Sequence, residues 1–241
     1  MIEILYQNED CVVVNKPAGM LMHRSFLDVH ETTFLLQTVR NQIGRKVYPV
    51  HRLDRPTSGA VLLALSSESA HEFAKQFQQN EVQKVYLAVV RGWLSESGTI
   101  DYPLKPIHDP IADIHRDPDA EAQSALSHYA CMMHAEFPFQ VQAKHQSSRF
   151  SWLKLMPKTG RKHQLRRHLK HIFHPIIGDT AYGDLKQNRA MQSFTGISRL
   201  WLHAHELHFQ SLQKRETIKI IAPLDEDWQH MRHWFEVYQK R

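Results

Sequence analysis

The chain has 241 residues, 42% hydrophobic and 23% charged, with a formal net charge of +5. Nine Gly, 11 Pro and two Cys exclude collagen-like, linker-like and disulfide-scaffold classes, and the length allows a substantial buried core. Apolar runs such as Ala60 to Leu65 fall far short of the ~20 residues that span a bilayer, no export signal precedes them, and free thiols suit a reducing compartment, so the expectation is a cytoplasmic protein.

Ile2 to Leu5 and Cys11 to Val14 predict two short strands around the polar turn Gln7-Asn8-Glu9-Asp10. Thr32 to Ile43 predicts a helix ended by Gly44. Gly59 to Leu65 predicts a buried strand, being continuously apolar and too short for a helix. Ser66 or Ser67 then caps a helix whose apolar stripe is Ala70, Phe73, Ala74 and Phe77. Val82 to Val90 is the next strand. Leu104 to Gln123, rich in Pro and acids, reads as a long excursion. Ser124 to Met132 and Phe150 to Leu155 follow as strands, then a helix from His163 to Ile172 with Leu165, Leu169 and Ile172 as its stripe. Strands are expected at Arg199 to His203, Glu206 to Gln210 and Thr217 to Ala222. The last helix begins after Pro223 with Asp225, Glu226 and Asp227 in its first turn, and Lys240 and Arg241 suit its C-terminal dipole. Strands and helices mix without strict alternation, and no Gly-rich phosphate loop appears, so the class is α+β.

Charge distribution says more than the total. From Phe137 to Gly178 there is no Asp or Glu, and the stretch holds nine Lys and Arg. Such a block attracts a polyanion, or else forms a solvated basic face. The 18 His add charge as pH falls toward 6, which would tighten polyanion binding there.

The densest polar segment beside a buried strand is His51-Arg52-Leu53-Asp54-Arg55-Pro56-Thr57-Ser58-Gly59. Asp54 lies between two Arg, which favours its charged form, and an ionised Asp can act as nucleophile or general base. The plainer alternative is a turn Asp bound to its local backbone.

This segment resembles the HRLDxxTSG signature of the RluA-type pseudouridine synthase family. Further blocks follow in the family's order. Asn15-Lys16-Pro17-Ala18-Gly19 is similar to NKPxG, and Lys84-Val85-Tyr86-Leu87-Ala88-Val89-Val90-Arg91-Gly92 to KxYxAxVxG. Thr159-Gly160-Arg161-Lys162-His163-Gln164-Leu165-Arg166 is similar to TGRxHQ(L/I)R, His174-Pro175-Ile176-Ile177-Gly178-Asp179 to HPIxGD, and Leu202-His203-Ala204 to LHA. Arg55-Pro56 and the strings after Pro157 and Gly183 are most similar to the branch that acts on tRNA at uridine 65.

The resemblance implies a pseudouridine synthase fold: a mixed, mainly antiparallel central sheet with flanking helices and an active-site cleft. It implies one catalytic domain over 1–241, without the N-terminal S4-type domain of many relatives, and with 105–148 a poorly matched excursion. The implied reaction breaks the N-glycosidic bond of uridine, turns the base and rejoins C5 to the sugar. Asp54 would be the nucleophile or base, at the ribose or the uracil. Arg166 would pair with it. Tyr86 would stack on the flipped base and could take the C5 proton. Arg52 would fill the vacated stack, and Arg55, Arg161, Lys162, Arg167 and Lys170 would grip the RNA. An isomerisation needs no cofactor, and the expected partner is tRNA, bound by a monomer.

Each assignment has a competitor. Tyr86 alone reads as a core aromatic, Arg166 as one more phosphate contact, and His51 as a structural hydrogen bonder. His163, His168, His171 and His174 invite a zinc reading, but their spacing is not HExxH and no acidic ligand lies among them, so no metal is expected. The competing functions are synthesis of pseudouridine in rRNA or elsewhere in tRNA, a catalytically idle RNA-binding module, and a metal-dependent hydrolase.

Overall fold

The computed structural model describes residues 1–23, 32–94, 96–107, 120–214 and 216–240. β1 (Glu3–Gln7) and β2 (Cys11–Lys16) form an antiparallel hairpin. Its turn is held by the Asn8 side chain, which accepts from the backbone N–H groups of Asp10 and Cys11. α1 (Leu35–Ile43) begins three residues later than the sequence suggests and ends where Gly44, at φ 68°, returns its N–H to the Arg40 carbonyl.

β3 (Tyr48–Pro49) precedes β4 (Ser58–Ala64), every residue of which is buried. Val61 and Leu63 pack on one face of the sheet with Leu35 and Val39, while Ala60, Leu62 and Ala64 pack on the other with Phe73 and Phe209. Both faces are covered, which is why this strand reads as a continuous apolar run. α2 (Ser67–Gln78) is capped as expected, with the Ser66 hydroxyl accepting from the Ser69 N–H, and Phe73 is its buried anchor.

β5 (Gln83–Arg91), β6 (Ser97–Asp101), β7 (Leu126–Phe137) and β8 (Ser148–Pro157) follow, then α3 (Gln164–His171) and α4 (Leu185–Thr195). The chain ends with β9 (Leu202–Gln210), β10 (Thr217–Ile221), α5 (Glu226–Val237) and β11 (Gln239–Lys240). One sheet carries all eleven described strands in the order β1-β2-β4-β9-β5-β8-β7-β11, with β3 on β4, β6 on β7 and β10 on β9. Every pairing between these strands is antiparallel except β4 on β9. The mixed, mainly antiparallel sheet with flanking helices is the expected architecture. The largest core, built around Phe137, Phe150, Trp152, Trp201, Trp228 and Phe235, packs α3 and α5 against the sheet.

Several local expectations need correction. β6 and α4 were not foreseen. α4 has ordinary signals at both ends: the Asp184 side chain accepts from the N–H groups of Lys186 and Gln187, and Gly196 closes it at φ 74°. The strands expected at Arg199 to His203 and Glu206 to Gln210 are one strand. Val85 pairs with Glu206 and Tyr86 with Ala204, so His205 bulges out and only mimics a break. Arg199 lies before this strand. Lys240 serves no helix end but pairs in β11 with His134 of β7, and Arg241 lies outside the described residues. The excursion is closed at its base by a bridge between Leu104 and Gln123, and 108–119 lie outside the described residues.

Candidate active site

The loop between β3 and β4 carries His51 to Thr57 and is fixed from below. Lys16, wholly buried at the end of β2, donates from Nζ to the carbonyls of Pro17, Arg55 and Thr57 at 3.0, 3.0 and 2.8 Å. Burial pushes the Lys16 ammonium down to about 7, against a smaller upward pull from Asp54. Leu53 anchors the loop in the core, and the Thr57 N–H closes a turn onto the Asp54 carbonyl. Gly59 follows at φ 115°, where a Cβ would collide with the Ala204 backbone of β9. The loop is thereby clamped to the one parallel junction of the sheet. His51 is a structural group: its Nε2 accepts from the Leu62 N–H at 2.9 Å, its ring stacks on Phe77, and burial pushes its pKa down to about 3.

Asp54 projects into a cleft of about 570 Å³ whose walls include Arg52, Lys84, Tyr86, Gly160, His163 and Arg166. Arg166, on α3, donates from Nη1 to Asp54 Oδ2 at 3.1 Å. The pairing implied by the resemblance is present, and it is embedded in a second one. Arg166 Nε and Nη2 donate to the two oxygens of Asp179 at 2.7 and 2.9 Å, a two-point fork. The side chains of Arg166 and Asp179 are 6% and 1% exposed, against 25% for Asp54, so the fork is the rigid base and Asp54 its cleft-facing end. Asp179 also accepts the N–H groups of Ala181 and Tyr182. Burial alone would raise the Asp179 carboxyl and lower the Arg166 guanidinium. Their mutual hydrogen bonds reverse both, and the pair stays ionised.

His163, in the left-handed region at φ 55°, starts α3 and places Nε2 3.7 Å from Asp54 Oδ1, while Nδ1 contacts the Tyr182 hydroxyl at 3.0 Å. Burial lowers its pKa, so the imidazole is neutral at pH 7. The Tyr182 ring lies 5.1 Å from the Arg166 guanidinium.

Tyr86 enters from β5, partly buried, between Leu155 of β8 and Ala204 of β9. Burial, reinforced by the Asp54 charge, raises its phenol above the ordinary value. Lys84 is two residues away in the same cleft wall. Its Nζ has no hydrogen bond or ion pair among the described residues, and burial lowers its pKa.

The proposed RNA-gripping residues fall into two groups around the cleft. Arg52 and Arg161 line it, and Arg161 Nε also donates to the Ser124 carbonyl. Arg55 Nε donates to the Gly19 carbonyl. Lys162, Arg167 and Lys170 run along the start and outer side of α3, with Lys170 exposed. The acid-free block is nonetheless not one basic face. Arg166 is consumed by carboxylates. Arg149 sits over the Trp93 ring at 4.2 Å and 3.8 Å from Glu136. Nor do all the histidines gain charge near pH 6, because burial lowers the pKa of His51, His163, His168 and His203. The histidines of the zinc reading are dispersed: His168 bonds Ser127 and the Tyr102 carbonyl, His171 stacks on Tyr102, and His174 bonds the Arg91 carbonyl. No metal-holding cluster of His, Cys, Asp and Glu occurs among the described residues, and no described helix is long and apolar enough to cross a membrane.

Sequence reasoning gave Asp179 and Lys16 no role beyond their motif blocks. Both had a signal. Asp179 is the first carboxylate after the acid-free stretch, and Lys16 is the one charged residue of β2, a strand that opens with four apolar residues.

The cleft thus brings together a carboxylate held by a buried arginine, a tyrosine ring and several cationic side chains. The chain belongs to the RNA pseudouridylate synthase family, whose model matches residues 10–171. It is 55% identical over 235 residues to "tRNA pseudouridine synthase C" of Haemophilus influenzae, covering 98% of both chains. It is 53% identical to the protein of the same name from Pasteurella multocida, covering 98% of this chain and 96% of that one. Among solved structures, "Human RNA Pseudouridylate Synthase Domain Containing 4" shares the fold, with TM-score 0.69 at 24% identity over 99% of this chain and 94% of that one.

Proposed function

We propose that the protein isomerises uridine to pseudouridine in tRNA, at position 65, with Asp54 as its catalytic carboxylate. The observation that carries this reading is the Asp54 carboxylate held at 3.1 Å by Arg166 and facing the same cleft as Tyr86. The relatives' names support tRNA as the substrate, and the motif likeness described above supports position 65.

In the reaction the N1–C1′ bond breaks, the uracil turns within the cleft and a C5–C1′ bond forms. The C5 proton is released and N1 ends protonated, so the balance requires no outside oxidant or reductant. Asp54 supplies the negative charge that acts on the nucleoside. Arg166 orients that carboxylate and is itself oriented by Asp179. Tyr86 stacks on the uracil. Its phenol is held neutral, which makes it a stacking platform and hydrogen-bond donor before it is a proton acceptor. Arg52, at the cleft mouth, fills the gap left by the extruded base, a task suited to a planar guanidinium. Arg55, Arg161, Lys162, Arg167 and Lys170 hold the backbone, and the whole chain acts as one catalytic unit.

The test is incubation of the purified protein with unmodified tRNA carrying tritium at uridine C5, followed by pseudouridine mapping. Tritium release with one new pseudouridine at position 65 is expected. Release with pseudouridine elsewhere, or in rRNA alone, overturns the position. Binding without release overturns the activity and leaves an idle RNA-binding module.

A further inference from the structure

Lys84 stands apart from every other buried cation of this site. Lys16 is saturated by three carbonyls and Arg166 by two carboxylates. Arg199, behind the loop, is held by Asp225, Asp227 and Ser58. Lys84 Nζ is half-buried in the wall of the cleft with no partner among the described residues. Withdrawing an ammonium from water without pairing it is unfavourable, and the cost is offset only when an anion arrives.

Its position says which anion. Lys84 and Tyr86 alternate on β5 and point to the same side, about 7 Å apart along the strand. That is the scale of one nucleoside, measured from base to backbone. Across from Lys84 the chain turns at Thr159 and Gly160, whose Cβ position lies 4.0 Å from Nζ, so that turn faces the ammonium at van der Waals distance. The neighbouring His51 is neutral and offers Lys84 no compensation. Asp54 is the sole carboxylate in the cleft lining among the described residues, and it is held by Arg166.

We propose that Lys84 binds a phosphate of the RNA backbone next to the isomerised uridine, one nucleoside's length from the base platform at Tyr86. The assignment rests on the reading that RNA enters this cleft. A compact, strongly hydrated point charge suits a phosphate oxygen, and the phosphate supplies the missing counter-charge. Lys84 thereby fixes how deeply the nucleotide is drawn in, and so which face of the uracil meets Tyr86.

The experiment combines variants with a phosphate scan. Lys84→Met should raise KM for tRNA about ten- to a hundredfold with kcat much less affected, the loss of one charged hydrogen bond, and Lys84→Arg should recover most of it. Because the substitution removes an unpaired buried charge, Lys84→Met should melt no lower than wild type. Independently, tRNAs ligated with a single neutral methylphosphonate on either side of the target uridine are assayed with the wild-type protein. One of the two linkages should raise KM by a similar factor, and Lys84→Met should show no further loss with that RNA. A scan that leaves wild-type KM unchanged at both linkages overturns the proposal. So does Lys84→Met with normal KM, or one whose loss is confined to kcat. Turnover of unsubstituted tRNA by wild type in the same assay tests the underlying activity separately.

Discussion

Arg166 and Asp179 form a buried two-point ion pair, with Nε and Nη2 at 2.7 and 2.9 Å from the two carboxylate oxygens. Arg166 therefore approaches Asp54 with its orientation already determined. Replacing Asp179 by Asn leaves the buried guanidinium with one neutral amide oxygen in place of the fork, beside its single bond to Asp54. Breaking such a pair costs about 3–5 kcal/mol of stability. The expected outcome is a lower melting temperature together with a fall in kcat larger than any rise in KM. A variant that loses stability but keeps wild-type kcat would show that Asp179 has no part in positioning Arg166.

Asp54→Asn should abolish tritium release while tRNA affinity stays within about tenfold, since at most one charge-assisted contact is altered. Filter binding beside single-turnover assays reads both quantities. Near-normal turnover would remove Asp54 from the chemistry.

Tyr86→Phe keeps the ring and removes the phenol. Binding should persist and product formation fall. If the variant matches wild type in single-turnover rate, the hydroxyl has no chemical part and Tyr86 is a platform alone.

Arg167 and Arg149 belong to the same acid-free stretch but lie in different surroundings. Arg167→Ala should weaken tRNA binding and lower the slope of log affinity against log salt by about one unit. Arg149, beside Glu136 and over Trp93, should leave that slope unchanged when replaced by Ala. Equal slopes for the two variants would mean that the RNA path does not follow α3.

Acid stability should expose the buried histidines. His51 and His203 have folded pKa values of about 3 and about 4, below the 6.5 of an unperturbed His. The unfolded chain then binds more protons between these limits. Their contribution is complete above pH 6.5 and is lost as pH falls toward 3 for His51 and toward 4 for His203, by about 2.5 kcal/mol for each group near pH 4.5. Thermal melts at pH 7 and 4.5 read this directly. His51→Gln, whose side-chain oxygen can still accept from Leu62, should lose less stability on acidification than wild type. An identical loss would contradict the assignment.

Much of this architecture was legible because local and tertiary signals agreed. The doubly covered β4 is apolar at every second residue on both faces, and Ser66 and Gly44 mark helix ends by their own chemistry. Asp54 stood out by its flanking arginines beside a buried strand, whereas Tyr86 and Arg166 came only through motif likeness, and the meeting of the three in one cleft is not visible from spacing. The failures have physical reasons. β6 is short, and its identity depends on pairing with β7. The bulge at His205 looks like a strand break because a bulge disrupts the period-two pattern. The acid-free stretch suggested one basic face, yet charge sign along the chain carries no information about direction. Arg166 points inward to carboxylates from the same helix whose outer side presents Lys170.

The position of β9 has a consequence for how the protein comes into being. β4 and β5 are consecutive among the strands of the central path as the chain is made, but in the sheet they are held apart by β9, which arrives more than a hundred residues later. The loop bearing Asp54 leads into β4, and Tyr86 rides on β5, so the two are set at working distance only when this late strand wedges between them. A nascent chain still lacking Leu202–Gln210 has every residue of the proposed chemistry except its spacing. Synthesis proceeds from the N-terminus, and such distant pairings close slowly. The pairing that sets the Asp54 loop beside Tyr86 therefore waits for a strand made late in synthesis.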